Sequence, residues 1–174
     1  HDSSKLYTYS NHVHLSTDEG HSWETISPDL TRNDKSKLVS SGGPITQDNT
    51  GVEYYATIFA VDESPLQEGL IWVGSDDGLI HLTKDGGATW ENVTPKKMPD
   101  LMMINSVDAS SFDSGTAYIA GTRYKLGDFT PYLYVTDDYG KNWKLITDGI
   151  EDEHFTRVLR SDKSDKKILY AGTE

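Results

Sequence analysis

The sequence of 174 residues contains no cysteine, which excludes disulfides, thiol catalysis and cysteine-ligated zinc. Basic residues are also scarce, because 16 lysines and arginines stand against 28 acidic residues and give a net charge of −12. That charge opposes binding to nucleic acid phosphates and to anionic membrane surfaces. No apolar run approaches the ~18 residues of a membrane span. These absences predict an acidic protein with no nucleic-acid partner and no membrane insertion.

The chain also lacks an initiating methionine and a signal-peptide pattern, since it begins at His1. We therefore expect either that a leader was removed or that the chain is an internal piece of a longer protein. The hydrophobic share of 35% and the 15 glycines place it in the globular range. The length predicts one folded domain spanning residues 1–174.

What the sequence does contain is an eight-residue motif in three ungapped copies, [Ser/Thr]-x-Asp-x-Gly-x-x-Trp. We call the copies box 1 (residues 16–23), box 2 (83–90) and box 3 (136–143). Three of the four tryptophans close a box. The fixed residues are Ser16, Asp18, Gly20 and Trp23 in box 1, Thr83, Asp85, Gly87 and Trp90 in box 2, and Thr136, Asp138, Gly140 and Trp143 in box 3.

The segments around each box repeat as well. Apolar residues alternate before and after every box, which predicts a β-hairpin with the box as its turn. Two further apolar segments precede each hairpin, so the repeat comprises four short strands in about 50 residues, as is typical of β-propeller blades. The sequence predicts an all-β partial propeller of about three four-stranded antiparallel blades. The predicted segments are a blade remnant (1–30), two blades (52–95 and 102–147) and an incomplete blade (154–174).

About three blades do not close a ring, because closed propellers have typically 4–8 blades. Open blade edges favour pairing with other chains, so we expect self-association into a homo-oligomer. The polar segment 35–49 is predicted to be a long loop between blades.

The composition of the boxes favours a structural role. The aspartate and the hydroxyl can accept hydrogen bonds from the backbone of the turn, the glycine suits a positive φ, and the tryptophan can pack at the blade edge. Calcium is the alternative, but an EF-type loop needs about 12 residues and a closing glutamate, which no box provides. We expect no metal and no cofactor.

The boxes resemble the Asp-box (bacterial neuraminidase, BNR) repeat. The stretches 23–34, 71–78 and 118–126 look like the sortilin-type Asp-box propeller proteins of bacteria, and this resemblance covers essentially the whole chain. It implies a fragment of a larger secreted or periplasmic, glycosyl-hydrolase-like protein. Among Asp-box propellers are sialidases, xyloglucan-cleaving tandem propellers, sortilin-type receptors and photosystem assembly factors, so the resemblance does not decide the function.

Catalysis by this chain alone has little support in the sequence. The arginine triad, tyrosine nucleophile and FRIP-type motif of sialidases cannot be assembled from it. A two-carboxylate glycosidase needs its carboxyl groups ~5–10 Å apart. The loop acids at candidate positions are Asp76, Asp77, Asp128, Asp152 and Glu153.

Several polar and aromatic residues fall where propellers bind ligands, between second and third strands or on the first strands. Asn105 and Arg157 occupy matching first-strand positions, and a buried arginine there would need a carboxylate partner, for which Asp76 or Asp77 is the candidate. The segment 125–131 is predicted to be an extended binding loop. The predicted ligand-binding residues are Asp76, Asp77, Asn105, Arg123, Tyr124, Asp128 and Arg157.

Two weaker patterns leave alternatives open. The pairs Tyr54–Tyr55 and Tyr124–Lys125 are either a platform for sugars or ordinary packing aromatics. His12 and His14 face one side of a strand and form either the start of a metal site or a surface pair on an edge strand.

Together these observations favour a non-catalytic binding or scaffold module of an extracytoplasmic sortilin-type protein, with a protein, peptide or glycan as its partner. The alternative is a fragment of a sialidase-like or xyloglucanase-like glycoside hydrolase whose catalytic residues lie partly outside the chain.

Overall fold

The structure, a computed structural model, describes residues 2–48 and 54–174. These residues form thirteen β-strands, with short 3-10 turns at Lys35–Lys37 and Tyr124–Leu126. None of the helices in the described ranges is long and apolar enough to cross a membrane. The strands are β1 (Leu6–Tyr9), β2 (Val13–Ser16), β3 (Glu24–Thr25), β4 (Ile58–Glu63), β5 (Ile71–Ser75), β6 (Ile80–Thr83), β7 (Glu91–Asn92), β8 (Met103–Ala109), β9 (Ala117–Arg123), β10 (Asp128–Thr136), β11 (Lys144–Leu145), β12 (Thr156–Ser161) and β13 (Leu169–Thr173).

The strands form four antiparallel sheets in which neighbours in the sequence are neighbours in space. The orders are β1-β2-β3, β4-β5-β6-β7, β8-β9-β10-β11 and β12-β13. The prediction of an all-β propeller with four-stranded antiparallel blades is therefore confirmed. We number the sheets blades 1 to 4. The predicted start of the second blade, residues 52 and 53, and residue 49 of the predicted loop lie outside the described residues.

The first strands of blades 2, 3 and 4 pack side by side and form the inner wall of the fold. Each of these strands, β4, β8 and β12, carries a register shift near its start. The residue skipped by the pairing is Phe59, Asn105 or Arg157, and these positions match in the repeat. A bulge changes the direction of the side chain of its extra residue. The inner wall therefore has one such side chain in each of blades 2, 3 and 4.

The core lies between successive blades. Trp72 and Ile80 of blade 2 pack with Ile104 and Ile119 of blade 3, and all four side chains are fully buried. Gly74 on β5 lets the blades come this close, because a Cβ there would lie 2.3 Å from Cγ2 of Ile104. Burial of apolar surface between blades is the main source of stability in such a fold.

Each box forms a hairpin turn closed by side chains. In box 2 the Thr83 hydroxyl accepts a hydrogen bond from the Gly87 amide at 3.0 Å, and Asp85 accepts one from the Thr89 amide at 2.9 Å. The side-chain bond from Thr89 is the main cause that lowers the pKa of Asp85 to about 2. Corresponding bonds occur in box 1 (Gly20 to Ser16, Ser22 to Asp18) and box 3 (Gly140 to Thr136, Asn142 to Asp138).

The boxes also fasten each blade to the one before it. The Trp90 indole donates to the Ile26 carbonyl of blade 1 at 2.9 Å, and the Trp143 indole donates to the Val93 carbonyl of blade 2 at 2.7 Å. Both acceptors lie three residues after the tryptophan of the preceding box. Trp23 in box 1 is 45% exposed, since no described blade precedes it. The tryptophans therefore pack between blades as well as at a blade edge.

Candidate functional site

A groove of about 660 Å³ lies at the end of the inner wall where β4, β8 and β12 begin. The turns that join second strands to third strands close around this end. We call it the axial groove. It is lined by Ser10, Asn11, Tyr54, Ala56, Thr57, Phe59, Asp76, Met103, Tyr124, Lys125 and Arg157.

Three kinds of local structure bring side chains into the axial groove. Bulges on β4 and β12 supply Phe59 and Arg157. Asp76 follows the end of β5, and Tyr124 begins the 3-10 turn between β9 and β10. Phe59 is 47% exposed, which is unusual for a phenylalanine on an inner strand. The groove thus combines an exposed aromatic ring with charged groups.

Two residues of the lining, Tyr124 and Arg157, belong to a stack of flat side chains. The rings of Tyr124 and Phe155 are stacked with centroids 5.4 Å apart, and the Arg157 guanidinium lies 4.5 Å from the centroid of Tyr124. Arg157 also forms an ion pair with Glu174 at 3.2 Å. The expectation that Asp76 or Asp77 pairs with Arg157 is therefore wrong. Glu174 follows β13, which pairs with β12 and so brings this carboxylate beside Arg157.

Asp76 is the carboxylate of the groove. Its side chain accepts a hydrogen bond from the Thr57 amide at 2.9 Å, and its own amide donates to the Thr57 carbonyl at 2.9 Å. These bonds tie the end of β5 to the start of β4. Burial raises the pKa of Asp76 from 3.8 to about 6, and the nearby Asp77 charge adds to the increase. The carboxyl group of Asp76 therefore titrates in the weakly acidic range, where contacts with a ligand can shift its protonation equilibrium.

Asp77 and Asn105 were predicted as ligand-binding residues but do not line the axial groove. Asp77 is buried and accepts bonds from the Arg32 amide at 2.7 Å and the Ser75 hydroxyl at 2.6 Å. Asn105 is half-buried, and its side-chain amide donates to the Thr122 hydroxyl at 3.1 Å. Both side chains therefore make hydrogen bonds outside the axial groove.

Arg123 and Asp128 also lie outside the lining of the axial groove. They form an ion pair at 2.5 Å, and the Tyr132 hydroxyl donates to Asp128 at 2.8 Å. This network holds the β9–β10 hairpin, which has a register shift between Asp128 and Tyr132. The predicted loop 125–131 is consequently wrong in part, because β10 begins at Asp128.

The alternatives for the smaller patterns separate in the structure. Tyr54 lines the axial groove, whereas Tyr55 does not. The His12 and His14 rings lie 6.4 Å apart and contact Ser27 and Thr25. His14 lies on β2, the middle strand of its sheet, and His12 precedes that strand, so the description of a pair on an edge strand is wrong. In residues 2–48 and 54–174 there is no cluster of three or more His, Asp or Glu that could hold a metal ion.

Phe59 was not among the residues predicted to bind a ligand. Its position matches Asn105 and Arg157 in the repeat, so the same alignment could have found it.

Two aspartates on the inner strands were also not predicted from the sequence. Asp62 accepts from the Ala109 amide of the next blade at 2.7 Å, and Asp108 accepts from the Ser161 amide at 2.9 Å. The repeated pair Val-Asp on these two strands was the signal in the sequence.

The fold is similar to that of solved β-propeller proteins. An ancestral GH74 enzyme matches with a TM-score of 0.65 and 17% identity over 97% of this chain and 20% of that enzyme. The GH74 xyloglucanase from Xanthomonas campestris matches with a TM-score of 0.64 and 15% identity over 97% of this chain and 24% of that enzyme. YCF48 bound to D1 peptide matches with a TM-score of 0.54 and 18% identity over 94% of this chain and 43% of that protein.

This chain spans less than half the length of each of these proteins. At such identities the similarity shows the β-propeller fold and nothing more specific. No protein-family model matches the chain, and no curated protein sequence matches it significantly.

Proposed function

We propose that the chain is a non-catalytic binding module of a larger Asp-box propeller protein of sortilin type, located outside the cytoplasm, and that the axial groove holds a glycan. The observation that carries this proposal is the combination of exposed Phe59 with the stacked pair Tyr124 and Arg157 in one groove. The location and the sortilin-type relationship rest on the sequence resemblance.

A sugar chain fits this lining for two reasons. The apolar face of a sugar ring packs on flat side chains, and the ring of Phe59 is available for such a contact. The hydroxyl groups of a sugar need donors and acceptors, which Arg157, Lys125 and Asp76 provide around the same space. A peptide is the other ligand class we consider, because the structurally similar YCF48 was solved with a bound peptide.

A fragment of a glycoside hydrolase is the second candidate, supported by the similarity to GH74 enzymes and by the raised pKa of Asp76. A carboxyl group that is protonated near pH 6 is suited to act as a general acid. Hydrolysis of a glycosidic bond needs a second carboxyl group about 5–10 Å away. Among the described residues that line the groove, Asp76 is the one carboxylate. A binding role therefore agrees better with the groove than catalysis by this chain.

The proposal is tested by titrating the protein with xyloglucan oligosaccharides in a calorimeter and comparing two variants. Phe59→Ala removes the ring from the groove, whereas Phe112→Ala removes a similarly exposed ring from the β8–β9 connection. We expect Phe59→Ala to weaken binding about tenfold, since loss of a ring contact is worth about 1–2 kcal/mol. Phe112→Ala should bind like the wild type.

Equal binding by the wild type and Phe59→Ala would contradict the assignment of the axial groove. Binding of extended peptides and not of oligosaccharides, with the same loss in Phe59→Ala, would keep the groove and replace the ligand class. Turnover of the oligosaccharide that is abolished by Asp76→Asn would favour the hydrolase.

A further inference from the structure

The blade repeat builds a second kind of groove, at the rim of the propeller. It lies between the outer strand of one blade and the box of the next. The first copy, between β3 and box 2, has about 570 Å³, and the second copy, between β7 and box 3, has about 730 Å³. In each copy a box tryptophan, Trp90 or Trp143, lies in the wall and donates to the outer segment of the preceding blade. The two rim grooves are therefore equivalent in construction.

Their charges are opposite. The charged residues in the lining of the first rim groove are Glu24 and Asp85. The second rim groove is lined by Lys96, Lys97 and Lys141, with Glu91 as its acid. In a chain with a net charge of −12, this grouping of lysines runs against the composition.

The positive charge comes from three lysines that have no basic counterpart in the preceding repeat. Lys96 and Lys97 follow the tryptophan of box 2 by six and seven residues, and the residues at the same distances after box 1 are Asp29 and Leu30. Lys141 follows the glycine of box 3, and the residue at this position of box 2 is Ala88. The three lysines are exposed. None of them forms an ion pair with another described residue. Solvated lysines without partners at a groove are free to contact an anion.

The floor of the second rim groove is apolar and rigid. Val93 and Tyr134 are buried there, and Leu145 is 48% exposed at its side. The ring of Trp143 is held edge-on against Trp72 at 6.1 Å and by its bond to Val93. An apolar floor flanked by lysines is complementary to an extended segment that carries an apolar side chain between acidic ones.

We propose that the second rim groove docks an acidic peptide segment of a partner protein. The apolar side chain of the segment lies against Trp143 and Leu145, and its carboxylates face Lys96, Lys97 and Lys141. A short peptide contacts the groove alone, whereas a long polyanion such as nucleic acid also meets the acidic surface around it and is repelled. This site is separate from the axial groove and does not depend on the function proposed for it.

The test measures the fluorescence anisotropy of a labelled peptide, acetyl-Glu-Glu-Leu-Glu-Glu-amide, against the whole chain. The double variant with Lys96→Asp and Lys141→Ala replaces two of the lysines with the residues at the aligned positions of the preceding repeat. The matched control, with Lys37→Asp and Lys166→Ala, changes the net charge equally at exposed lysines elsewhere. Thermal melts followed by circular dichroism check that both variants fold.

We expect saturable binding of the peptide that weakens with added salt. The groove variant should lose about tenfold or more in affinity, and the control should stay within about twofold of the wild type. Absence of binding to the wild type, or equal losses in both variants, would overturn the proposal. Binding of a heparin fragment as tight as that of the peptide, with the same loss in the groove variant, would overturn the assignment to a peptide.

Discussion

Replacing Asp76 with asparagine changes how the stability of the protein depends on pH. Burial raises the pKa of Asp76 to about 6 in the folded state, above its value of 3.8 in an unfolded chain. The folded state therefore holds the Asp76 proton more tightly than the unfolded state does. Below about pH 4 both states are protonated and Asp76 has no effect, whereas above about pH 6 the buried charge destabilises the fold.

The magnitude follows from the two pKa values. A tenfold difference in proton affinity corresponds to about 1.4 kcal/mol, so the change from 3.8 to about 6 sets an upper limit of about 3 kcal/mol. Screening by water at the mouth of the groove lowers this to about 2 kcal/mol. Asparagine keeps an oxygen that can accept the bond from the Thr57 amide and carries no charge. The stability of Asp76→Asn relative to the wild type should therefore rise by about 2 kcal/mol between about pH 4 and pH 7.

The assay is urea unfolding followed by tryptophan fluorescence at a series of pH values, for the wild type and for Asp76→Asn. Other carboxylates titrate in both proteins and cancel in the difference. Asp152→Asn, in an exposed loop, serves as the control for replacing an ordinary aspartate. A difference between Asp76→Asn and the wild type that does not change with pH would show that the pKa of Asp76 is not raised in the folded state.

Two further substitutions test the packing of the blades. Gly74→Ala places a methyl group 2.3 Å from Cγ2 of Ile104, and we expect a loss of about 1–3 kcal/mol in the free energy of unfolding. Adding Ile104→Ala should make the combined loss smaller than the sum of the single losses, and simple additivity in urea unfolding would count against the contact. Trp143→Phe removes the hydrogen bond to Val93 and should lower stability by about 1 kcal/mol beyond the effect of Trp23→Phe in the exposed box 1. Equal thermal shifts in these two variants would show that the bond between blades contributes nothing.

The fold could be predicted because the same local sequence pattern recurs several times in the chain. Each box combines a turn glycine with a side-chain acceptor, and alternating apolar residues flank it on both sides. The β-strands and their order could therefore be predicted. The partner of each box tryptophan was not evident. Trp143 bonds to Val93, 50 positions earlier in the chain, and only the stacking of blades brings the two together.

The binding groove could be predicted in part. The repeat places Asp76, Tyr124 and Arg157 near the same end of the inner wall, and the structure brings them to one groove. Asp77 and Asp128 were equally plausible in the sequence, but neighbouring backbone and side-chain donors occupy them. Individual hydrogen bonds decide which of several acids lines the groove, and the spacing of residues in the sequence does not specify these bonds.

The ion pair of Arg157 shows the same limit. A carboxylate partner was expected, but the partner is Glu174, which the pairing of β12 with β13 places alongside. Cross-strand neighbours are determined by register, and the bulge at Arg157 shifts the register at this point.

The role proposed for the axial groove is to bind a ligand. The most direct measurement is a titration of isotope-labelled protein with xyloglucan oligosaccharides, followed by nuclear magnetic resonance of the backbone amides. We expect shifts that saturate and that cluster at Phe59, Asp76, Tyr124 and Arg157. Shifts that cluster elsewhere, or no shifts with either oligosaccharides or extended peptides, would show that the axial groove is not a binding site.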